Sequence, residues 1–395
     1  MRRLALGSWL LLVGVIAAAA ESDLTARLEA VRPKLDSPKK ELRQQAYAAY
    51  LAEGEPGRQA LRNALTALHK AKLERCHSLS LADATQKRLL TVHKKMEEAR
   101  KEALRVIFDP KIYPDADHGR VGQPIVDEKV KIVKAGCPIH QAAFGWAMHR
   151  VPHGEAAPRG GKAEALMIFF SYGSPIKTYQ GALAAYGRLL EIDDQLAKLG
   201  GGGEGVELKP TLAKAVGSAI DPELLDALGK TNELLDYSVR CLRYNALVAT
   251  STTDGERTVL DLTNEYRIQL GIKPMAINEP LVQAARKHSR EMVELKYFGH
   301  ESPKPENRTV GQRCANEGYK GGGAENCASG AGPAGAFDMW YHSSGHHRNM
   351  IGPGHNEIGI GGAGPWTEDF GSRKGLDLNN PPHSWKHEEP KATKK

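Results

Sequence analysis

The chain reads as α+β, with an all-α N-terminal region followed by a smaller C-terminal domain of helices and short strands. Three observations carry this. From Asp23 to about Phe108, apolar residues recur at helical spacing among many Ala, Leu, Lys, Glu and Arg. After Asp254 two compact amphipathic patterns follow, and at Glu357–Gly362 the pattern changes to alternation, with Ile358 and Ile360 on one side. Between them lies Trp340–Met350, W-Y-H-S-S-G-H-H-R-N-M, which is too polar for a core segment and too aromatic for a passive linker.

In chain order, Arg2 and Arg3 precede an apolar run from Leu4 that closes on Ala17–Ala20. That is the pattern of a signal peptide cut after Ala20, since the run is short for a membrane span of about 20 residues and ends in small side chains. Residues 21–250 are expected to be helical, with no nucleophile, ligand or phosphate-binding spacing. Ser37-Pro38 offers a helix start, with Asp36 or Ser37 as cap and proline in the first turn. Lys39–Leu65, two short amphipathic runs broken at Gly54–Gly57, faintly resembles a single helical hairpin of the HEAT type, a unit that needs neighbours to bury its faces; an irregular bundle is the competing reading. Asp109–Gly122 is rich in turn formers, and its Asp and His residues fit turns better than a metal site. Helical texture returns at Val126–Ala135, Thr178–Leu199 and Pro222–Val248, interrupted by a glycine loop at Gly200–Gly205. Ala249–Gly255 is the expected hinge into the second domain, and residues 372–395 lack periodicity and read as a disordered tail.

The formal charge is +7, and +5 once Arg2 and Arg3 leave with residues 1–20. So mild an excess, without a basic-aromatic pattern, argues against nucleic acid and suits an anionic envelope surface. Five cysteines, an odd number, leave at least one unpaired or bridging chains.

In the C-terminal part, Asp254 is expected to cap a helix whose Val259, Leu262, Tyr266 and Leu270 share a face and which Gly271 stops. A second helix starts at Asn278 with Pro280 in its first turn, and a stripe from Leu281 to Leu295 contains His288, read as a core histidine. Pro333 opens a third helix leading into the histidines.

Phe298-Gly299-His300-Glu301, Ala324-Glu325-Asn326 and W-x-x-S-x-G-H-x-x-N-M at Trp340–Met350 occur in the order of the G-H, E-N and W-x-x-S-x-G-H-x-x-N-[ML] motifs of the CAP superfamily. Over about residues 256–371 the chain resembles that superfamily of cysteine-rich secretory proteins, antigen 5 and pathogenesis-related 1 proteins. Asn264 and Arg267 match the N-x-x-R spacing that opens many bacterial members, and Trp366–Gly371 resembles the closing strand. The resemblance implies an α-β-α sandwich around a short antiparallel sheet. It also implies a cleft lined by two histidines and two glutamates, three of which fall on His300, Glu325 and His346. Ser343 stands where the second glutamate would be.

The cleft reading makes His300 and His346 ligands of a divalent metal such as Zn²⁺, with Glu325 as orienting partner or candidate general base. Asn326 and Asn349 are expected to tie loops to backbone groups. His347 and His355 read as exposed loop residues. His342 and His346 share the i, i+4 spacing of H-E-x-x-H, but Ser343 replaces the glutamate and Gly345 interrupts the helix. Cys314 and Cys327 flank the glycine run before Glu325 and are the expected disulfide, two free thiols being the alternative. The function so implied is a secreted protein whose cleft binds a metal, a small or lipid-like ligand, or both. The alternatives are a metal-assisted hydrolase of peptides or an envelope polymer, and a helical scaffold on which the C-terminal module is incidental.

Overall fold

In the computed structural model the described residues are 22–115, 117–136, 162–200, 206 and 211–382. The signal-peptide pattern and Gly201–Gly205 lie outside them. The helices are α1 (22–31), α2 (Lys40–Ala52), α3 (Gly54–His77), α4 (Asp83–Phe108), α5 (Gln123–Gly136), α6 (Lys162–Lys198), α7 (Leu212–Val216), α8 (Pro222–Leu247) and α9 (Asp254–Gln269). Then follow β1 (Ala276–Ile277), α10 (Glu279–Glu294), α11 (Val310–Asn316), β2 (Ala324–Ala328), α12 (Pro333–Tyr341), α13 (Ser344–Met350), β3 (Glu357–Gly362) and β4 (Trp366–Gly371).

The chain divides into two compact units, residues 1–83 with 177–222, and residues 84–176 with 223–395. In the first, α2 and α3 form a helical hairpin whose turn is Glu53 and a left-handed Gly54 (φ +69°), with Pro56 in the first turn of α3. Leu28, Tyr50, Leu61, Leu65, Ile192 and Leu196 form its core, beside a buried His69–Asp193 pair at 2.9 Å.

The second unit joins α4, α5 and α8 to the sandwich, so the division does not fall at the expected hinge. Residues 249–255 are tied down instead. Ser251 donates to Glu279 through its amide (2.8 Å) and its hydroxyl (2.6 Å), and Arg286 reaches the Ser251 hydroxyl at 2.8 Å. The cap of α9 is Thr253 rather than Asp254, in a reciprocal box with Glu256: Thr253 Oγ1 accepts from the Glu256 amide at 3.3 Å, and Glu256 Oε2 accepts from the Thr253 amide at 2.8 Å. Asn278 caps α10 as expected. The tail reading also needs correction for residues 372–382. Leu378 is buried in the main core, and the Pro382 carbonyl accepts from the Ala249 amide at 3.0 Å.

The sheet runs β1-β3-β4-β2, with β3/β4 and β4/β2 antiparallel and the two-residue β1 added in parallel at one edge. One face presents Ile358, Ile360 and Phe370 to Val259, Leu260, Ala336 and Trp340 of α9 and α12. The other is covered by α10, and glycine is what permits the close approach. A Cβ on Gly359 would lie 2.1 Å from the Leu281 carbonyl carbon, and one on Gly361 would lie 2.1 Å from the Arg286 amide nitrogen. This is the α-β-α sandwich, with β2 at the open edge.

Candidate functional site

The site is built on that edge. In antiparallel register Glu325 lies opposite Asp369 and Cys327 opposite Thr367, so these four side chains share the α10 face while Asn326 and Glu368 point to the other. Glu325, only 6% exposed, accepts from the His300 Nδ1 at 2.9 Å with one oxygen and from Arg313 at 2.5 Å with the other. Burial alone would raise its pKa, but the His300 hydrogen bond and the Arg313 charge prevail and hold it below the usual carboxylate range. The same bond raises the pKa of His300 against the effect of burial.

His300 sits on a loop that two residues absent from the motif reading secure. Glu291 accepts from Ser302 Oγ, from Asn307 Nδ2 at 2.8 Å and from Tyr297 at 2.9 Å; Arg313 also donates to the His300 carbonyl at 3.0 Å. Gly299, at φ +152°, occupies backbone space that side chains disfavour. His288 is a buried core histidine, as expected, with its Nε2 3.0 Å from the Gly299 carbonyl and its Nδ1 3.2 Å from the Tyr297 hydroxyl.

His346 is in the first turn of α13, and its ring centroid lies 6.2 Å from that of His300. Asn326 donates to the His346 carbonyl at 3.1 Å and Asn349 to the Glu325 carbonyl at 3.2 Å, so both asparagines do tie backbone together. Ser343 is the N-cap residue of α13, its carbonyl accepting from the His347 amide at 2.7 Å; it brings no carboxylate to the cleft.

Two histidine readings change. His347 is fully buried, with Nε2 2.7 Å from the Tyr266 hydroxyl, and burial lowers its pKa to about 3. His355 is half-buried and stacks on Phe370. His342 ends α12 and hydrogen-bonds the Asp338 carbonyl at 2.8 Å, on a different helix from His346, so the H-E-x-x-H spacing has no single helix to act on. Cys314 and Cys327 are both free and buried. The expected disulfide is therefore absent, and the two thiols have different neighbours. Cys314 packs with Leu281, Ala284 and Tyr319, whereas Cys327 lies 3.8 Å from His300 Nδ1.

Residues far outside the motifs brace α13 from behind. Arg348 donates to the Ile107 carbonyl at 2.6 Å and also meets Asp115 and the Tyr113 carbonyl; Ser344 donates to the Pro114 carbonyl at 2.7 Å. The Tyr341 hydroxyl donates to Asp127 at 2.8 Å. No spacing rule links positions some 230 residues apart, so the sequence carried no signal for this wall. From the front, Arg267 fixes the segment leaving α13, donating to the carbonyls of Lys273 (2.9 Å), Met350 (2.8 Å), Gly352 (3.0 Å) and His355 (3.1 Å). Asn264 exchanges two hydrogen bonds with Met275, at 2.8 and 2.9 Å, and so pins β1.

The sandwich thus carries Glu325 on its edge strand against His300, with the His346 ring on α13 facing that of His300. Residues 260–365 match the model of the cysteine-rich secretory protein family, CAP, and the chain carries a CAP domain at its C-terminal end. Over 119 residues it is 34% identical to the uncharacterized protein YkwD of Bacillus subtilis (strain 168), covering 29% of this chain and 46% of that one. Over 111 residues it is 31% identical to the uncharacterized membrane protein YlbC of the same strain, covering 28% and 32%. The match thus spans less than half the length of either relative. An extracellular protein containing an SCP domain from Bacillus anthracis str. Ames aligns at 25% identity and a TM-score of 0.29, over 30% of this chain and 40% of that one. Among the described residues no helix is long and apolar enough to cross a membrane.

Proposed function

We propose that the CAP domain is the ligand-binding part of an exported protein, its cleft taking a divalent metal between His300 and His346 and presenting it to a small or lipid-like ligand. The observation that carries this is the 2.9 Å contact between His300 Nδ1 and Glu325. With its proton on Nδ1, donated to a carboxylate, the ring keeps its Nε2 lone pair for a ligand, which is how histidines that bind metals are oriented. The tautomer is the one this bond assigns. The 6.2 Å between ring centroids lets two imidazoles reach one ion. Phe298, 54% exposed two residues before His300, gives the rim an apolar group. Export rests on the Arg2-Arg3 and apolar pattern of residues 1–20.

Binding is favoured over hydrolysis by the state of Glu325. A general base needs a lone pair open to water and a pKa near the working pH. Here the carboxyl is only 6% exposed to water, its oxygens already accept from His300 and Arg313, and its pKa is lowered. The purified protein, incubated with a mixed peptide and envelope-polymer library, is expected to bind Zn²⁺ without turnover. Chelator-sensitive turnover would establish the hydrolase instead.

A further inference from the structure

On the α10 face of the sheet, Glu325 of the E-N motif is joined by two donors outside the cleft reading, His288 and Cys327. His288, Glu325 and Cys327 are all buried and each offers a ligand atom within 4.8 Å of the others. His288 Nε2 and Glu325 Oε1 are 3.8 Å apart. Metal bonds of about 2.0 to 2.3 Å in a tetrahedron put ligand atoms about 3.5 Å apart, so the set needs a contraction of about 1 Å at its widest.

We propose that Cys327, Glu325 and His288 form a second, inner metal site, selective through its thiolate for a borderline-soft ion such as Zn²⁺ over Mg²⁺ or Ca²⁺. The sulfur distinguishes it from the cleft, whose histidines offer nitrogen alone. Glu325 Oε1 keeps its bond to His300 and offers the ion its second lone pair, so the contact that must yield is at His288. His288 Nε2 now faces the Gly299 carbonyl at 3.0 Å, and ligation moves the ring proton to Nδ1, which faces the Tyr297 oxygen at 3.2 Å. Loading the inner site therefore releases Gly299, the residue before His300, and couples inner occupancy to the placement of the cleft loop.

Cobalt titration of the reduced, metal-free full-length protein tests this independently of any activity, because thiolate-bound Co²⁺ gives a charge-transfer band in the near ultraviolet and histidine-bound Co²⁺ does not. Wild type is expected to show the band. Cys327→Ser should lose it together with one equivalent of bound cobalt, and Cys314→Ser and His300→Ala should keep it. Cobalt uptake without a band in wild type, or a band that survives Cys327→Ser, would overturn the inner site and leave the cleft reading standing. A Cys327-dependent band with no uptake that depends on His300 or His346 would do the reverse.

Discussion

Arg267→Leu is expected to lower stability by about 4 kcal/mol or more, enough to leave little folded protein if the domain has ordinary stability. The guanidinium is fully buried and donates to four carbonyls that the leucine would leave without it. Burial also pulls its pKa down to about 10, so it remains charged at neutral pH. Lysine, a point charge without the planar fork, should recover only part of the loss. Denaturant unfolding of the three proteins checks this. A leucine variant within 1 kcal/mol of wild type, on the order of one hydrogen bond, would mean that the carbonyls of the segment leaving α13 find other donors.

The second large effect concerns Glu325. Glu325→Ala leaves Arg313, itself only 4% exposed, without its hydrogen-bonded carboxylate partner, and is expected to cost about 3 kcal/mol. It also frees the His300 ring, so metal uptake at the cleft should weaken about 10- to 100-fold. Glu325→Gln separates the two effects, since the amide oxygen can still accept from one partner. The wild type carries a matching pH signature. Because the folded-state pKa of Glu325 lies below its unfolded value, its stabilisation is present above about pH 4.5 and is lost as the pH falls through the lowered folded value. His347 acts in the same direction: its pKa falls from 6.5 to about 3 on burial, so protonation in the unfolded chain favours unfolding progressively below about pH 6.5. Glu368 opposes them. Burial raises its pKa to about 7 despite its bonds to Thr263 and Asn326, so its contribution is present below about pH 4.5 and lost as the pH rises through 7.

What the sequence disclosed were contacts encoded by short spacing or by motif. The helices of the sandwich follow from apolar periodicity and from Asn278 and Pro280. The roles of Asn326 and Asn349 follow from the motif that contains them. Partners that meet through the fold were hidden. Tyr113 and Asp115, which meet α13, fall in the turn-rich stretch Asp109–Gly122 because residues that make turns and residues that anchor a loop are the same types, and Asp127, which meets Tyr341, falls in helical texture that does not disclose its partner. Asp369 faces Glu325 only because β4 pairs with β2, a register no local pattern fixes. His347 looked exposed because its neighbours are polar, yet the helical turn rotates it onto Tyr266. The polar residues that suggest a hinge at 249–255 serve as hydrogen-bond partners to Glu279 and Arg286.

If His300 and His346 hold one ion between them, metal stoichiometry must change when either is removed. Isothermal titration of the metal-free full-length protein with Zn²⁺ should show a binding step that His300→Ala and His346→Ala each remove, lowering the stoichiometry by one equivalent. Metal-free His300→Ala should cost no more than about 1 kcal/mol, the net value of its one hydrogen bond to Glu325, because the ring itself is more than half exposed. Unchanged stoichiometry in either variant, or early unfolding of metal-free His300→Ala, would contradict the account and make the His300–Glu325 pair a structural tie.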